Sequence, residues 1–235
     1  MTPLWEIGET LLTEGARPYP KRSAGRSLIV SETLFAAVNR ARGCAGFLTV
    51  EAVAALADDG ILVLDPFSTL VSPGVMLTTG VTLFPGTILQ ATEGGEVTVG
   101  RNTRLYPGTR IVAAGARVII GADTEIGDEG GFTVKAEHPG GVIEIGSSVR
   151  LLGGGSLALD NHIGDGAQVL GPIRMQNCRL EAGDSHRDPD PDRRGGVLKG
   201  SGVARGLTVP VGMVIQAFGL FNEAPLRRQS FFHPN

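Results

Sequence analysis

From residue 63 onward, large apolar residues recur every six positions. One block is Val71, Leu77, Leu83 and Leu89. A second is Val99, Leu105 and Ile111, then Ile120, Ile126 and Phe132. A third runs Ile145, Leu151, Leu157, Ile163, Val169 and Met175, and the last runs Val197, Val203, Val209, Ile215 and Phe221. Four residues after many of these slots the side chain is small or β-branched, as at Val81, Thr87, Thr103, Thr109, Thr124, Val149 and Ala167. Helices repeat at 3.6 residues and half-buried strands at two, so neither produces this spacing. A triangular coil does: each hexad supplies one short strand and one corner, and three hexads close a turn of about 18 residues. The large residue fills the prism, and the small one lets the corner close. Pro73-Gly74, Pro85-Gly86 and Pro107-Gly108 are tight-turn pairs at such corners. The expected fold is therefore mainly β, a left-handed parallel β-helix of roughly seven coils, with Leu83, Leu105, Ile126, Leu157, Ile163 and Val209 inside. A β-sandwich would call for period-two alternation and Asn-Gly hairpins, and Asn-Gly is absent.

Residues 1–62 lack this period. SETLFAAVNRARG reads as a helix capped by Ser31 and stopped by Gly43, and LTVEAVAALADDG as a second one capped by Thr49 and stopped by Gly60. The stretch around Pro3, Pro18 and Pro20 reads as irregular. The organisation expected is a helical or irregular cap over 1–62, the β-helix over 63–221 and a tail over 222–235 that covers the open end. The repeat slips around ATEGGE, AAGAR, AEHPGG and SHRDPDPDRRGG. Surplus residues in a rigid solenoid are expected to leave as loops, where such scaffolds place function. Outward Val118, Ala158 and Leu170 are small or apolar, which predicts a homotrimer.

With a net charge of -3 the chain has no global basic field, which argues against nucleic acid as a partner. The two cysteines, Cys44 and Cys178, form no disulfide framework and fit a reducing compartment. No apolar run reaches the length of a membrane span, and MTPLWEIGETL lacks a basic leader region. The expectation is a cytoplasmic protein with no membrane partner.

Repeats of this kind are typical of the hexapeptide acyltransferase superfamily. Within it, DDGILVLDPFSTLVSPGVML and GVTLFPGTIL resemble the acetyltransferase part of the bacterial bifunctional N-acetylglucosamine-1-phosphate uridyltransferase/glucosamine-1-phosphate acetyltransferase. Asp65-Pro66 and Ser68-Thr69 match that family's entry strand, Leu83-Phe84-Pro85-Gly86-Thr87 its first hexads, and VGRNTRLYPGTRI a later coil. The resemblance covers about residues 55–135. It implies a trimer with sites between neighbouring prisms, a coenzyme A thioester as co-substrate with no tightly bound cofactor, and, through GGFTVKA, Lys135 beside a sugar phosphate. The family's nucleotidyltransferase half and its His-Leu-x-Tyr-x-Gly-Asp and Asn-Tyr-Asp-Gly segments are absent from this chain.

Acyl transfer requires a base for the attacking amine or hydroxyl and donors for the oxyanion. Of the four histidines, His162 precedes inward Ile163 and so faces out on a strand, with Asp160 and Asp165 close in sequence. His186 lies in the SHRDPDPDRR insertion beside Asp184 and Asp188. A solenoid has no folding need for that insertion, so His186 ranks first as the base and His162 second. Arg193, Arg194 and Lys199 flank the insertion and suit phosphate groups. His138, His162 and His186 are too widely spaced for a zinc site between adjacent coils, so no metal is expected. Two functions stand: an acyltransferase acting on an amino or hydroxyl group of a small sugar-like molecule, or a non-catalytic trimeric scaffold or ligand-binding protein.

Overall fold

The computed structural model describes residues 24–233. It is a mainly-β parallel β-solenoid with a short N-terminal helical region. The chain divides into two compact units, one ending at Ala37 and one beginning at Val38. The described residues of the first are helical, belonging to α1 (Ala24–Cys44). Ser31 is thus inside α1 rather than its cap, and the left-handed residue after the helix is Gly46, φ +78, not Gly43. The region of Pro3, Pro18 and Pro20 lies outside the described residues.

Thr49 caps α2 (Val50–Ala54) as its type predicts: its hydroxyl accepts from the Ala52 N–H at 3.1 Å. A 3-10 turn, Ala55–Asp59, then ends at Gly60, φ +77. From Leu62 the chain winds through three faces. One 15-stranded sheet wraps two of them, because Val197–Arg205 and Met213–Leu220 bend across the shared corner; a 7-stranded sheet forms the third. All rungs pair in parallel except the last strand, Leu226–Arg228, which runs antiparallel to Met213–Ile215.

The interior is a set of stacked columns. Leu83, Leu105, Ile126, Leu151, Val169 and Leu198 stack on the first face, Leu89, Ile111, Val134, Leu157 and Met175 on the second, and Val99, Ile120, Ile145, Ile163, Leu180 and Val209 on the third, all buried. Burying one such side chain contributes about 1.5–3 kcal/mol, so the columns supply the main cohesion between rungs. The hexad phase departs from the sequence pattern in three places. Asn177, left-handed at φ +52, turns the chain one residue early, so Leu180 faces in. The insertion that follows restarts the phase at Leu198 and Ala204, leaving Val197 and Val203 beside the column. On the second face the stacked residue is Val134, with Phe132 buried just before it.

The surplus at ATEGGE and AAGAR does not leave as loops. Strands Ile88–Thr92 and Arg110–Ala114 lengthen together, pairing Ala91 with Ala113 and Thr92 with Ala114, and Thr133–Ala136 extends the ledge by pairing Ala136 with Ala113. A lone excursion would strand backbone N–H and C=O groups, whereas matched excursions satisfy each other. Val118, expected outward, is fully buried in the same column as Val97 and Ile143.

Buried threonines stitch the corners. Thr87 Oγ1 donates to the Leu105 carbonyl at 3.2 Å, Thr103 Oγ1 to Gly121 at 2.8 Å, Thr109 Oγ1 to Ile126 at 2.9 Å and Thr124 Oγ1 to Gly146 at 2.9 Å, each on the next rung.

Candidate functional site

On the first face, the residue before each inward apolar side chain must point outward. Those residues form a second column: Thr82, Arg104, Glu125, Arg150 and Gln168, in register on successive rungs. Glu125 sits between two arginines, 3.9 Å from Arg104 and 3.4 Å from Arg150. The adjoining corner carries Asn102, Asp123 and Ser148, all left-handed, with Asn102 Nδ2 donating to Asp123 at 3.0 Å. At rung spacing of about 4.8 Å, this polar groove runs on the order of 20 Å along the solenoid. Its hollow of about 430 Å³ is lined also by Ser185, His186 and Arg187 from the insertion. A second hollow of about 260 Å³ lies beyond, lined by Arg194, Lys199, Gln168 and C-terminal residues. Arg150 and His186 line both.

The insertion is a built structure. Arg194 donates through Nε and Nη2 to the Asp188 carbonyl at 2.9 and 2.6 Å, and Asp188 N–H donates to the Ser185 carbonyl at 2.9 Å. Asp190 caps a 3-10 turn, Pro191–Arg193. The Asp192 carboxylate accepts from Ser230 N–H at 2.9 Å, Ser230 Oγ at 3.0 Å and Arg228 Nη1 at 3.2 Å, which holds its pKa below the ordinary carboxylate range, the Ser230 N–H leading. Gln229, buried, donates to the Gly195 carbonyl at 2.8 Å. The surplus expected to be dispensable is therefore latched to the tail.

Burial lowers the pKa of His186, and the guanidinium charges of Arg150, Arg187 and Arg194 add to that against Glu125. These surroundings favour the neutral imidazole over the charged one. His186 Nδ1 is buried without a hydrogen-bond partner. Arg150 Nε, whose ion pair to Glu125 is long and lacks hydrogen-bond geometry, is in the same condition. Buried polar atoms are ordinarily satisfied, and the two residues that carry these orphans are the two that line both hollows. Neither neighbouring aspartate orients the ring: Asp184 pairs with Arg193 at 3.0 Å, and Asp188 accepts from the Asp190 N–H at 2.9 Å.

The other residues picked from the sequence are distributed round the prism. His186, Arg194 and Lys199 converge, and His233 joins them on the second hollow. Arg193 turns away to Asp184 and lines neither hollow. His162 stands on the third face, its Nδ1 2.8 Å from Glu144 Oε2, in an outward row with Glu144 and Arg179. Asp160 and Asp165, expected to orient it, instead accept from the Val142 and Ser147 backbone N–H groups. Lys135 lies on the second face, paired with Glu137 at 2.9 Å. Sequence reasoning missed Arg104, Glu125, Arg150 and Gln168, although their position directly before Leu105, Ile126, Leu151 and Val169 was a readable signal.

Among the described residues no three His, Cys, Asp or Glu side chains gather as a metal site, and no helix is long and apolar enough to cross a membrane. Fold and site together define a parallel β-solenoid carrying a polar, arginine-lined groove on one face. No known family profile and no curated protein matches the chain. What the structure supports of the resemblance to the acetyltransferase family is the parallel solenoid architecture.

Proposed function

We propose that this chain is an acyl-CoA-dependent acyltransferase built on a left-handed hexapeptide β-helix, acting on a small sugar-like acceptor held in the groove beside His186. The observation that carries this reading is the place of His186, a ring with an unpartnered nitrogen at the junction of two hollows, in surroundings that disfavour its charged form. A neutral imidazole is the form a general base requires. His186 takes the proton from the acceptor amino or hydroxyl group as that atom attacks the thioester carbonyl. The carbon–sulfur bond breaks, and the thiolate leaves and is protonated. Products are the acylated acceptor and free coenzyme A. A homotrimer is the proposed assembly, supported by Ile119 standing exposed on the third face.

A second reading, a ligand-binding solenoid without catalysis, draws support from the lack of a carboxylate orienting His186, since imidazole bases usually have one. One experiment separates them: free-thiol release from acetyl-CoA with glucosamine or glucosamine 1-phosphate as acceptor. Acylation by the wild type, cut about a hundredfold in His186→Ala and less than tenfold in His162→Ala, supports the transferase. Equal rates in wild type and His186→Ala overturn His186 as base. Absence of thiol release with saturable acceptor binding favours the binding protein.

A further inference from the structure

The second hollow differs in charge from the groove. The groove mixes Arg104, Arg150 and Arg187 with Asp123 and Glu125, whereas the second hollow is lined by Arg150, Arg194 and Lys199 with no carboxylate among the described residues. Lys199 makes no ion pair among the described residues, and it projects from the strand that pairs with Gln168–Leu170. Gln168 is the second, independent sign. It is only 6% exposed, lines this hollow, and its side-chain amide makes no hydrogen bond among the described residues. The amide opens onto the hollow, where a ligand can supply the partner that these residues do not. The cations come from three separate segments: the strand bearing Arg150, the insertion bearing Arg194 and the strand bearing Lys199. Donors approaching from three directions match a tetrahedral oxyanion with three accepting oxygens better than a planar carboxylate, which one arginine fork satisfies.

The far wall is the C-terminal strap. Phe232 and His233 line the hollow, and Gln229 beside them is tied to the Gly195 carbonyl. The strap is latched through Asp192, which holds both Arg228 and Ser230. We infer that this hollow is a phosphoryl subsite, formed by Arg150, Gln168, Arg194 and Lys199 and closed by a C-terminal strap that Asp192 latches. The inference deepens the acyltransferase reading by giving its ligand a phosphorylated end, and it rests on that reading only for which reactant carries the phosphate.

The test is calorimetric titration of the full chain with inorganic pyrophosphate, which needs no turnover. Saturable one-to-one binding is expected, weakened about tenfold or more in Lys199→Ala and in Gln168→Leu. Arg193→Ala, whose side chain lies outside the hollow, is expected to bind as the wild type does. Asp192→Ala, which removes the acceptor of all three latch bonds and no residue that lines the hollow, is expected to weaken binding as well. Absence of saturable binding by folded wild type overturns the subsite, and so does equal weakening by Arg193→Ala, which would reduce the effect to bulk charge. Unchanged affinity in the latch variant, with its fold retained by circular dichroism, overturns the strap as a wall. Competition by adenosine 3′,5′-bisphosphate assigns the phosphate to the acyl carrier, and competition by glucose 1-phosphate assigns it to the acceptor; either supports the subsite. Pyrophosphate binding without thiol release from acetyl-CoA keeps the subsite and removes the transferase.

Discussion

Thr124 uses its hydroxyl both as donor and as acceptor to stitch one rung to the next. Its side chain is fully buried; the hydroxyl donates to the Gly146 carbonyl at 2.9 Å and accepts from the Val149 N–H at 3.2 Å. Val149 has no other acceptor among the described backbone hydrogen bonds. Thr124→Val keeps the shape and removes both bonds, leaving a buried N–H and a buried carbonyl unsatisfied. At about 1–3 kcal/mol for each orphaned group, with partial relaxation, the expected cost is about 2–4 kcal/mol. Thr124→Ser keeps the hydroxyl and loses one buried methyl, for about 1 kcal/mol. Urea unfolding followed by circular dichroism reads both, with slopes checked because solenoids unravel piecemeal. The ordering is the decisive result: valine must cost more than serine. A valine variant as stable as wild type, with serine the weaker, would mean that the corner is filled for its volume and that the hydroxyl ladder contributes nothing.

Gly200 has φ +120, and a Cβ there would run into the Ala217 carbonyl oxygen, so Gly200→Ala is expected to cost about 3 kcal/mol or more by urea unfolding; a change within about 0.5 kcal/mol would refute the close approach. Leu159 is a leucine held at φ +62 and exposed, so Leu159→Gly is expected to be neutral or stabilising by up to about 1 kcal/mol, and a clear loss of stability would refute backbone strain there. Because His186 has a lowered pKa in the fold, the unfolded chain binds more protons just below the ordinary histidine value. Stability is therefore expected to fall as pH drops through that range, and His186→Gln is expected to flatten the fall in melting temperature between pH 7 and 5, with identical slopes refuting the assignment.

The inward columns were legible because a period of six leaves few ways to fold: nearly every apolar slot named from the sequence is buried, Leu77 and Val203 being only partly so. Phase was less legible. A left-handed corner at Asn177 changes the count by one residue without any Gly or Pro to announce it. The fate of surplus residues was not legible either, since whether a bulge becomes a loop or a strand depends on the length of the rungs above and below it. In the site, His186 stood out by its unusual loop, and Arg194 and Lys199 by their nearness to it. The orphaned state of Arg150 and the unpartnered amide of Gln168 arise from stacking residues about a rung apart, and the closing strap comes from still further along the chain.

The ledge on the second face has a consequence for how such a chain changes over generations. Its length is shared property: Ile88–Thr92, Arg110–Ala114 and Thr133–Ala136 each protrude because a neighbour protrudes to meet them. A deletion that shortened only the middle strand would strip partners from the rungs on both sides. Gains and losses of length are therefore inherited jointly, rung by rung, and a viable relative is expected to have the whole ledge trimmed or the whole ledge kept.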